Sequence, residues 1–215
     1  MQGCKPIDTP LIKNWRKEDA TSEKVVDATI YQHLVGSLIY LVNTRPYICY
    51  AVNQLSQVMV MPTNLFWKAG KHVLRCLRGT SEYGLCYRHT YEVKLHGFTN
   101  ADWAGSPTDR KSTSRGVFNI GSTTFSWYSR KQRSVALSSL EAKYMVASQV
   151  ACEAIWMRKI LFGLFGSHLD PTMIHCDNQS CIKLSINPLF HDISKHIDIR
   201  YHHIKYCVQR KIMLL

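Results

Sequence analysis

The sequence lacks several features that would assign it to a common class of protein. No run of apolar residues approaches the length of a membrane span, which predicts a chain with no membrane partner. The first ten residues, MQGCKPIDTP, have no apolar core and so do not resemble a secretory leader. The eight cysteines form no CxxC pair, which favours free thiols in a reducing compartment over a disulfide framework or a zinc site. Together these absences predict an intracellular protein, cytoplasmic or nuclear, that is not secreted.

Acidic residues are also scarce. The chain has 27 Lys and Arg against 15 Asp and Glu, which gives its 215 residues a formal net charge of +12. A surplus of this size is typical of proteins that bind a polyanion, and nucleic acid is the commonest polyanion. A basic domain without such a partner is the alternative that charge alone leaves open.

The order of the predicted elements divides the chain into three segments. Residues 1–26 are polar and contain prolines, which predicts an irregular lead-in. Residues 27–88 predict a small module of three helices, because apolar residues recur there at three- and four-residue steps. Residues 89–215 predict short strands, then a long helix, another strand and two further helices. This order indicates a mixed sheet with helices packed on it.

Local patterns predict individual elements. Short strand-like runs separated by glycine, serine and proline occupy residues 83–88, 91–99, 116–121 and 123–129. Ser138 and Glu141 fit a capping box at the start of the longest helix, which is expected to run to about Phe165. Trp103 and Trp127 fit either a core position or a stacking surface for a base or ribose, and the core interpretation is favoured.

Because acids are few, those that follow predicted strands are candidates for chemistry. Asp102 follows the first long strand, Asp177 ends the strand TMIHCD, and Asp198 lies in the final predicted helix. Two or more carboxylates that meet where strand ends diverge would hold Mg²⁺ and support phosphodiester cleavage. A turn aspartate, a helix cap and a surface ion pair are the alternatives at each position.

Six blocks of sequence, in this order, resemble the end of a copia-type retrotransposon Pol polyprotein. They are ATIYQHLVGSLIYLVNTRP, WKAGKHVLRCLRGT, ADWAGSPTDRKSTSRGVF, QRSVALSSLEAKY, CDNQSCI and KHIDIRYHHIK. The resemblance covers nearly the whole chain and corresponds to the end of the reverse-transcriptase region followed by the ribonuclease H domain. It implies a ribonuclease H-like α/β fold preceded by the helical module, with RNA:DNA hybrids as the substrate and Mg²⁺ as the cofactor. The paired-aspartate motif of the polymerase and the upstream reverse-transcriptase domains are absent from this chain, which predicts no polymerase activity.

The resemblance also implies four metal-binding carboxylates, of which this sequence keeps two. Asp177 and Asp198 match the family pattern. The carboxylate after the first strand, in a pattern like SDADWAG, falls on Asn100, and the helix carboxylate, in a pattern like SSTEAEY, falls on Lys143. Asp102 is the candidate substitute for the first position, because residues two apart on a strand share a face.

Charge predicts that the implied metal site fails. Four ionised carboxylates carry −4, whereas Asn100, Lys143, Asp177 and Asp198 carry 0, +1, −1 and −1, a net charge of −1. Glu141 cannot stand in for Lys143, because residues two apart on a helix point about 200° apart. We expect the lysine ammonium to pair with Asp177 or Asp198 and to occupy the space of the metal. The prediction is therefore weak Mg²⁺ binding and little or no hybrid cleavage.

Substrate binding depends on a different set of side chains, which surround the second and third strands. They are Lys111, Ser112, Arg115, Arg130, Lys131 and Arg133. The cations are expected to bind phosphates with an affinity that falls as salt rises, and Ser112 to donate to a backbone or 2′-hydroxyl group. A solvated turn is the alternative for Ser112.

Two further interpretations of function remain, a non-catalytic domain that binds RNA:DNA hybrid and a decayed element product with no function.

Overall fold

The chain forms two compact units, residues 1–85 and residues 86–215. The computed structural model describes residues 3–12, 15, 26–88, 93–106, 108–166, 169–186 and 203–215. The sequence prediction placed the division between residues 88 and 89. Within the described ranges, no helix combines the length and the apolar composition needed to cross a bilayer.

The first unit is helical. It contains α1 (Ala28–Val42), a short 3-10 turn (Pro46–Ile48), α2 (Cys49–Ser56) and α3 (Asn64–Gly79). Asp27 caps α1, since its carboxylate accepts the N–H of the second residue of the helix at 2.8 Å. The helices bury a common apolar core that includes Tyr31, Val35, Leu38, Leu55, Phe66 and Val73. The three helices predicted for residues 27–88 are therefore present.

The second unit is a mixed sheet with helices. Its elements are β1 (Leu95–Ala101), β2 (Thr113–Ile120), β3 (Thr123–Lys131), α4 (Ser139–Phe165), β4 (Thr172–Cys176), α5 (Gln179–Ile186) and β5 (Met213–Leu214). Residues 203–209 are also helical. The strand order is β3-β2-β1-β4-β5, with β2 antiparallel to both β1 and β3, β4 parallel to β1, and β5 parallel to β4. This confirms the mixed α/β fold class and the ribonuclease H-like sheet that the resemblance implied.

Hydrogen bonds from caps set both ends of α4, through side chains at its start and through the backbone at its end. The hydroxyl of Ser138 accepts the N–H of Glu141 at 3.1 Å, and the Glu141 carboxylate accepts the N–H of Leu137 at 2.6 Å. The predicted cap by Ser138 is thus confirmed, and the Glu141 carboxylate returns to the N–H of Leu137, one residue before the position that a capping box uses. At the other end, Gly166 adopts a left-handed φ of 66°, and its N–H donates to the carbonyl of Phe162 at 2.8 Å.

The contact between α4 and β1 is close because small residues meet there. Ala147 and Val150 of α4 are fully buried. A Cβ atom at Gly97 would stand 3.2 to 3.4 Å from atoms of Phe118, Val150 and Ile174. A larger residue at this position would therefore force these side chains to move by a few tenths of an ångström or more.

One predicted strand is wrong. Residues 83–88 are irregular in the structure, although their sequence alternates in a strand-like way. This segment contacts β3 through side chains, since the hydroxyl of Thr123 donates to the carbonyl of Cys86 at 2.5 Å and the Tyr87 hydroxyl donates to the carbonyl of Thr124 at 3.3 Å. Alternation alone predicted a strand where no ladder of backbone hydrogen bonds forms.

The core interpretation of the two sheet tryptophans is wrong for Trp103. Its side chain is 54% exposed, and its indole N–H donates to the carbonyl of Ala136 at 3.1 Å. Trp127 is half-buried and lies outside the buried core cluster. The indole N–H of Trp103 ties the turn after β1 to the segment before α4.

Candidate functional site

Two of the predicted site residues lie side by side at the ends of parallel strands. Thr99 of β1 is the register partner of Cys176 of β4. Asn100 and Asp177 each follow one of these partners directly, so both stand at the same edge of the sheet. Lys143 lies a little over one turn into α4, the helix that packs on β1.

The ammonium of Lys143 joins the two strand ends. Its Nζ donates to Oδ1 of Asn100 at 2.8 Å and to both carboxylate oxygens of Asp177 at 2.6 Å. An ammonium has three N–H donors, so these oxygens use all of them. The Lys143 side chain is 14% exposed and that of Asp177 is 58% exposed. The sequence predicted that Lys143 pairs with Asp177 or Asp198, and the structure shows the pair with Asp177.

The described residues at this edge do not fit Mg²⁺. This ion takes oxygen ligands at about 2.0–2.1 Å in near-octahedral geometry and is held by carboxylates. The described residues at this edge supply the Asp177 carboxylate and the Asn100 amide, and the Lys143 ammonium lies between them. In the described part of the chain, no group of three or more His, Cys, Asp or Glu side chains is placed to hold a metal. Asp198, the other predicted ligand, lies outside the described residues.

Asp102 serves the turn after β1. Its Oδ1 accepts the N–H of Thr113 at 2.5 Å, and its carboxylate lies directly against Gly105, where any Cβ would collide with it. Among the described residues it makes no hydrogen bond or ion pair with Lys143 or Asp177. The geometry gives no support to Asp102 as a substitute ligand.

Two thiols beside Asp177 were not singled out from the sequence. A hydrogen bond from Cys181 lowers the pKa of the Cys176 thiol to about 7, against the opposing effect of burial. The same contact and burial raise the pKa of Cys181, which is fully buried on the inner face of α5. The sequence did contain a sign that Cys181 is unusual. The family pattern CDNQSA ends in alanine, whereas this chain reads CDNQSC, with Cys181 at that position.

Three of the predicted nucleic-acid contacts line one groove. Arg130, Lys131 and Arg133 lie along a groove of about 930 Å³ between β3 and α4, which we call the β3–α4 groove. The guanidinium of Arg130 is 3.9 Å from the carboxylate of Glu153, and its side chain is 70% exposed. Arg133 is exposed and makes no ion pair within the described ranges.

Lys131 is neutralised by a neighbour. Its Nζ lies 2.9 Å from the carboxylate of Asp109. Burial acts to raise the pKa of Asp109, but hydrogen bonds from Ser106, Lys131 and the N–H of Lys111 outweigh it and lower the pKa to about 2. The Asp109 carboxylate therefore stays ionised at neutral pH and faces the Lys131 ammonium.

The remaining predicted contacts lie elsewhere. Ser112 has no exposed surface, and its hydroxyl accepts the N–H of Ala104 at 3.1 Å, so its burial contradicts the predicted contact with nucleic acid. Arg115 is the register partner of Ser129, which puts it on the face of the sheet away from the groove. Lys111 is half-buried in the turn before β2. The six predicted contacts thus do not form one patch.

The chain is similar to several curated proteins. The retrovirus-related Pol polyprotein from transposon RE2 of Arabidopsis thaliana is 40% identical over 211 residues, which are 97% of this chain and 14% of that protein. The polyprotein from transposon RE1 of the same plant is 40% identical over 96% of this chain and 14% of its own length. The secreted RxLR effector protein 161 of Plasmopara viticola is 44% identical over 59% of this chain and 90% of that protein. The chain spans only a small part of either polyprotein.

Among solved structures, the chain is similar to a foamy viral protease-reverse transcriptase in complex with dsDNA. The TM-score is 0.39 and the identity 14%, over 86% of this chain and 37% of the other. A TM-score this low carries no weight for fold or function. No protein-family model matches the chain.

Proposed function

Because this chain belongs to the retrovirus-related Pol polyproteins of copia-type transposons, we propose that residues 86–215 are a ribonuclease H-type domain that binds RNA:DNA hybrid without cleaving it. One observation carries the proposal. The Lys143 ammonium spans Asn100 and Asp177 with three short hydrogen bonds, at the position where the family resemblance expects a divalent cation.

The absence of cleavage follows from charge. A dication that entered between Asn100 and Asp177 would have to displace the Lys143 ammonium, which would then remain close to it and repel it. The carboxylate of Asp177, the one described carboxylate at this edge, would have to compensate for both the dication and the Lys143 ammonium. Without a bound ion, the described residues at this edge supply no means of activating a water or stabilising a leaving oxygen in the way that metal-dependent phosphodiester cleavage requires.

The proposed binding of hybrid rests on positive charges that are not paired within the strand-end site. The chain carries a formal net charge of +12. Arg130 and Arg133 line an open groove, and among the described residues only Arg130 faces a carboxylate, at a distance of 3.9 Å. Such cations attract phosphates through an interaction that needs no metal and weakens as salt rises.

The test measures binding and cleavage in the same samples. A labelled RNA:DNA hybrid is mixed with the whole chain, first in EDTA and then in excess Mg²⁺, at several salt concentrations. We expect saturable, salt-dependent binding in EDTA and an intact RNA strand after Mg²⁺ is added. Cleavage of the RNA that depends on Mg²⁺ would refute the proposal of an inactive site, and the absence of any binding in EDTA would refute the proposal of a binding domain.

A further inference from the structure

We propose that the β3–α4 groove binds a single strand of nucleic acid, with Trp156 stacking on an unpaired base and Arg130 and Arg133 contacting the phosphates on either side. This inference rests on the proposed function and adds the surface, the strandedness and a base-stacking residue. It concerns a part of the domain that the predicted metal ligands do not line.

The groove is open along one side because β3 is the edge strand of the sheet. Its other wall is a face of α4, where Ser148, Cys152 and Trp156 follow one another at four-residue spacing. Trp156 is thirteen residues from Lys143 on the same helix, a rise of about 20 Å. Trp156 is thus remote from the strand ends at which Lys143 is held.

The charges in the groove are arranged for phosphates. Arg130 stacks 5.0 Å over the ring of Tyr128, and its contact with Glu153 at 3.9 Å is the weak kind made by exposed side chains. Arg133 is exposed and has no anionic partner within the described residues. The guanidiniums of Arg130 and Arg133 therefore face the groove with only the distant Glu153 carboxylate opposite them among the described residues. Lys131, by contrast, is already paired with Asp109.

The exposed indole favours nucleic acid over an acidic protein segment. Trp156 is 58% exposed on the groove wall. An acidic peptide would be recognised by the arginines alone and would make no use of a flat aromatic surface. A nucleic-acid strand offers a base for each phosphate, and stacking of a base on an aromatic side chain tolerates any sequence. A duplex hides the faces of its bases, so the indole would stack on an unpaired strand that continues from the hybrid, whereas the arginines can contact the phosphates of either.

The experiment compares a short oligothymidylate with an abasic oligonucleotide of the same length, in EDTA, by fluorescence anisotropy. Trp156→Ala is expected to weaken oligothymidylate binding about 10-fold and to leave abasic binding unchanged, because only the first ligand can stack. Phe165→Ala is the matched control, since Phe165 is 60% exposed on the same helix and does not line the groove. Circular dichroism and thermal unfolding verify that each variant is folded.

A second pair of variants tests the phosphate contacts. Arg133→Glu is expected to weaken both oligonucleotides and to make the dependence of affinity on salt less steep. Lys183→Glu makes the same change of charge in α5, outside the groove, and is expected to have the smaller effect. Equal effects of the two reversals would mean that only net charge matters, and the groove assignment would fail.

The exposed thiol of Cys152 gives a readout that needs no substitution. Oligothymidylate bound in the groove is expected to slow maleimide alkylation of Cys152 and to leave that of Cys86, also exposed, unchanged. Equal protection of both thiols would overturn the assignment. A poly-glutamate peptide that binds as tightly as oligothymidylate and ignores Trp156→Ala would identify an acidic protein segment as the partner instead.

The groove assignment and the proposed function fail in different ways. If the unaltered chain binds neither the hybrid nor the oligonucleotides, both are wrong. If it binds them but Trp156→Ala and Arg133→Glu behave like their controls, only the groove assignment is wrong.

Discussion

The strand-end cluster (Asn100, Lys143 and Asp177) and the β3–α4 groove both hold basic side chains at a surface of the same domain, with opposite consequences. At the strand ends, all three donors of the Lys143 ammonium are satisfied within 2.8 Å. In the groove, the Arg130 guanidinium is 3.9 Å from its carboxylate and 70% exposed. The first positive charge is used within the fold, whereas the second remains available to a ligand.

This difference separates cleavage from binding in the same domain. Cleavage of the family type needs negative charge concentrated at the strand ends, and the lysine removes that charge. Phosphate binding needs exposed positive charge, and neither Asn100 nor Lys143 lines the groove. A ribonuclease H-like domain can therefore lose one property and keep the other.

The largest expected effect comes from the double variant Asn100→Asp with Lys143→Glu, which would make the strand ends acidic while leaving the groove as it is. We expect it to cleave RNA:DNA hybrid in Mg²⁺ at least about 100-fold faster than the unaltered chain, on the scale of a lost catalytic electrostatic contact. Each single substitution should remain inactive. Cleavage by the Asn100→Asp single variant alone would show that Lys143 does not block the site.

A smaller effect is expected at Asp102, which tests whether this carboxylate belongs to the strand-end cluster. Asp102→Ala removes the acceptor for the N–H of Thr113, and we expect the free energy of unfolding to fall by about 1–2 kcal/mol. Asp102→Asn keeps an oxygen at that position and should unfold nearly as the parent does, as followed by urea denaturation. If Asp102→Asn stays folded but abolishes cleavage in the Asn100→Asp, Lys143→Glu background, Asp102 is a ligand after all.

A change of a few fold is expected when the partial counter-charge in the groove is removed. Glu153→Gln should raise the affinity for oligothymidylate about 2- to 5-fold at low salt, since it frees Arg130, and the gain should vanish at high salt. Glu82→Gln, at an exposed position of the first unit, makes the same change of net charge as a control. An equal gain from both variants would contradict a local role for the groove.

The smallest effect is expected from Lys143→Met on stability. The partner carboxylate is more than half exposed, so loss of this ion pair should lower the free energy of unfolding by no more than about 1 kcal/mol. Thermal and urea unfolding measure the change. A fall several times larger would mean that Lys143 mainly stabilises the fold. The difference between the strand-end cluster and the β3–α4 groove would then reflect folding and not function.

Local chemistry predicted the elements that carry their own signals. The α4 helix begins where Ser138 and Glu141 indicated and ends before Gly166, because caps act within one turn of the chain. Residues 83–88 show the limit of such signals. Their alternation is strand-like, yet strand formation also needs a neighbouring strand that pairs with them.

The site was predictable only where the family resemblance assigned positions. The resemblance assigned Asn100, Lys143 and Asp177 to one site, and the contacts among them follow from the parallel pairing of β1 and β4. The role of Asp102 in its turn and the exposure of Trp156 were not predictable, because both depend on how distant segments pack. Ser112 was misjudged for the same reason, since burial is decided by tertiary contacts.

The central claim is that Lys143 takes the place of a metal ion, and a Mn²⁺ titration followed by electron paramagnetic resonance tests it most directly. Mn²⁺ substitutes for Mg²⁺ at oxygen-ligand sites, and its spectrum distinguishes free from bound ion. The account predicts that the unaltered chain leaves Mn²⁺ free, whereas the Asn100→Asp, Lys143→Glu double variant binds it. Binding of Mn²⁺ by the unaltered chain with the affinity of the double variant would contradict the account.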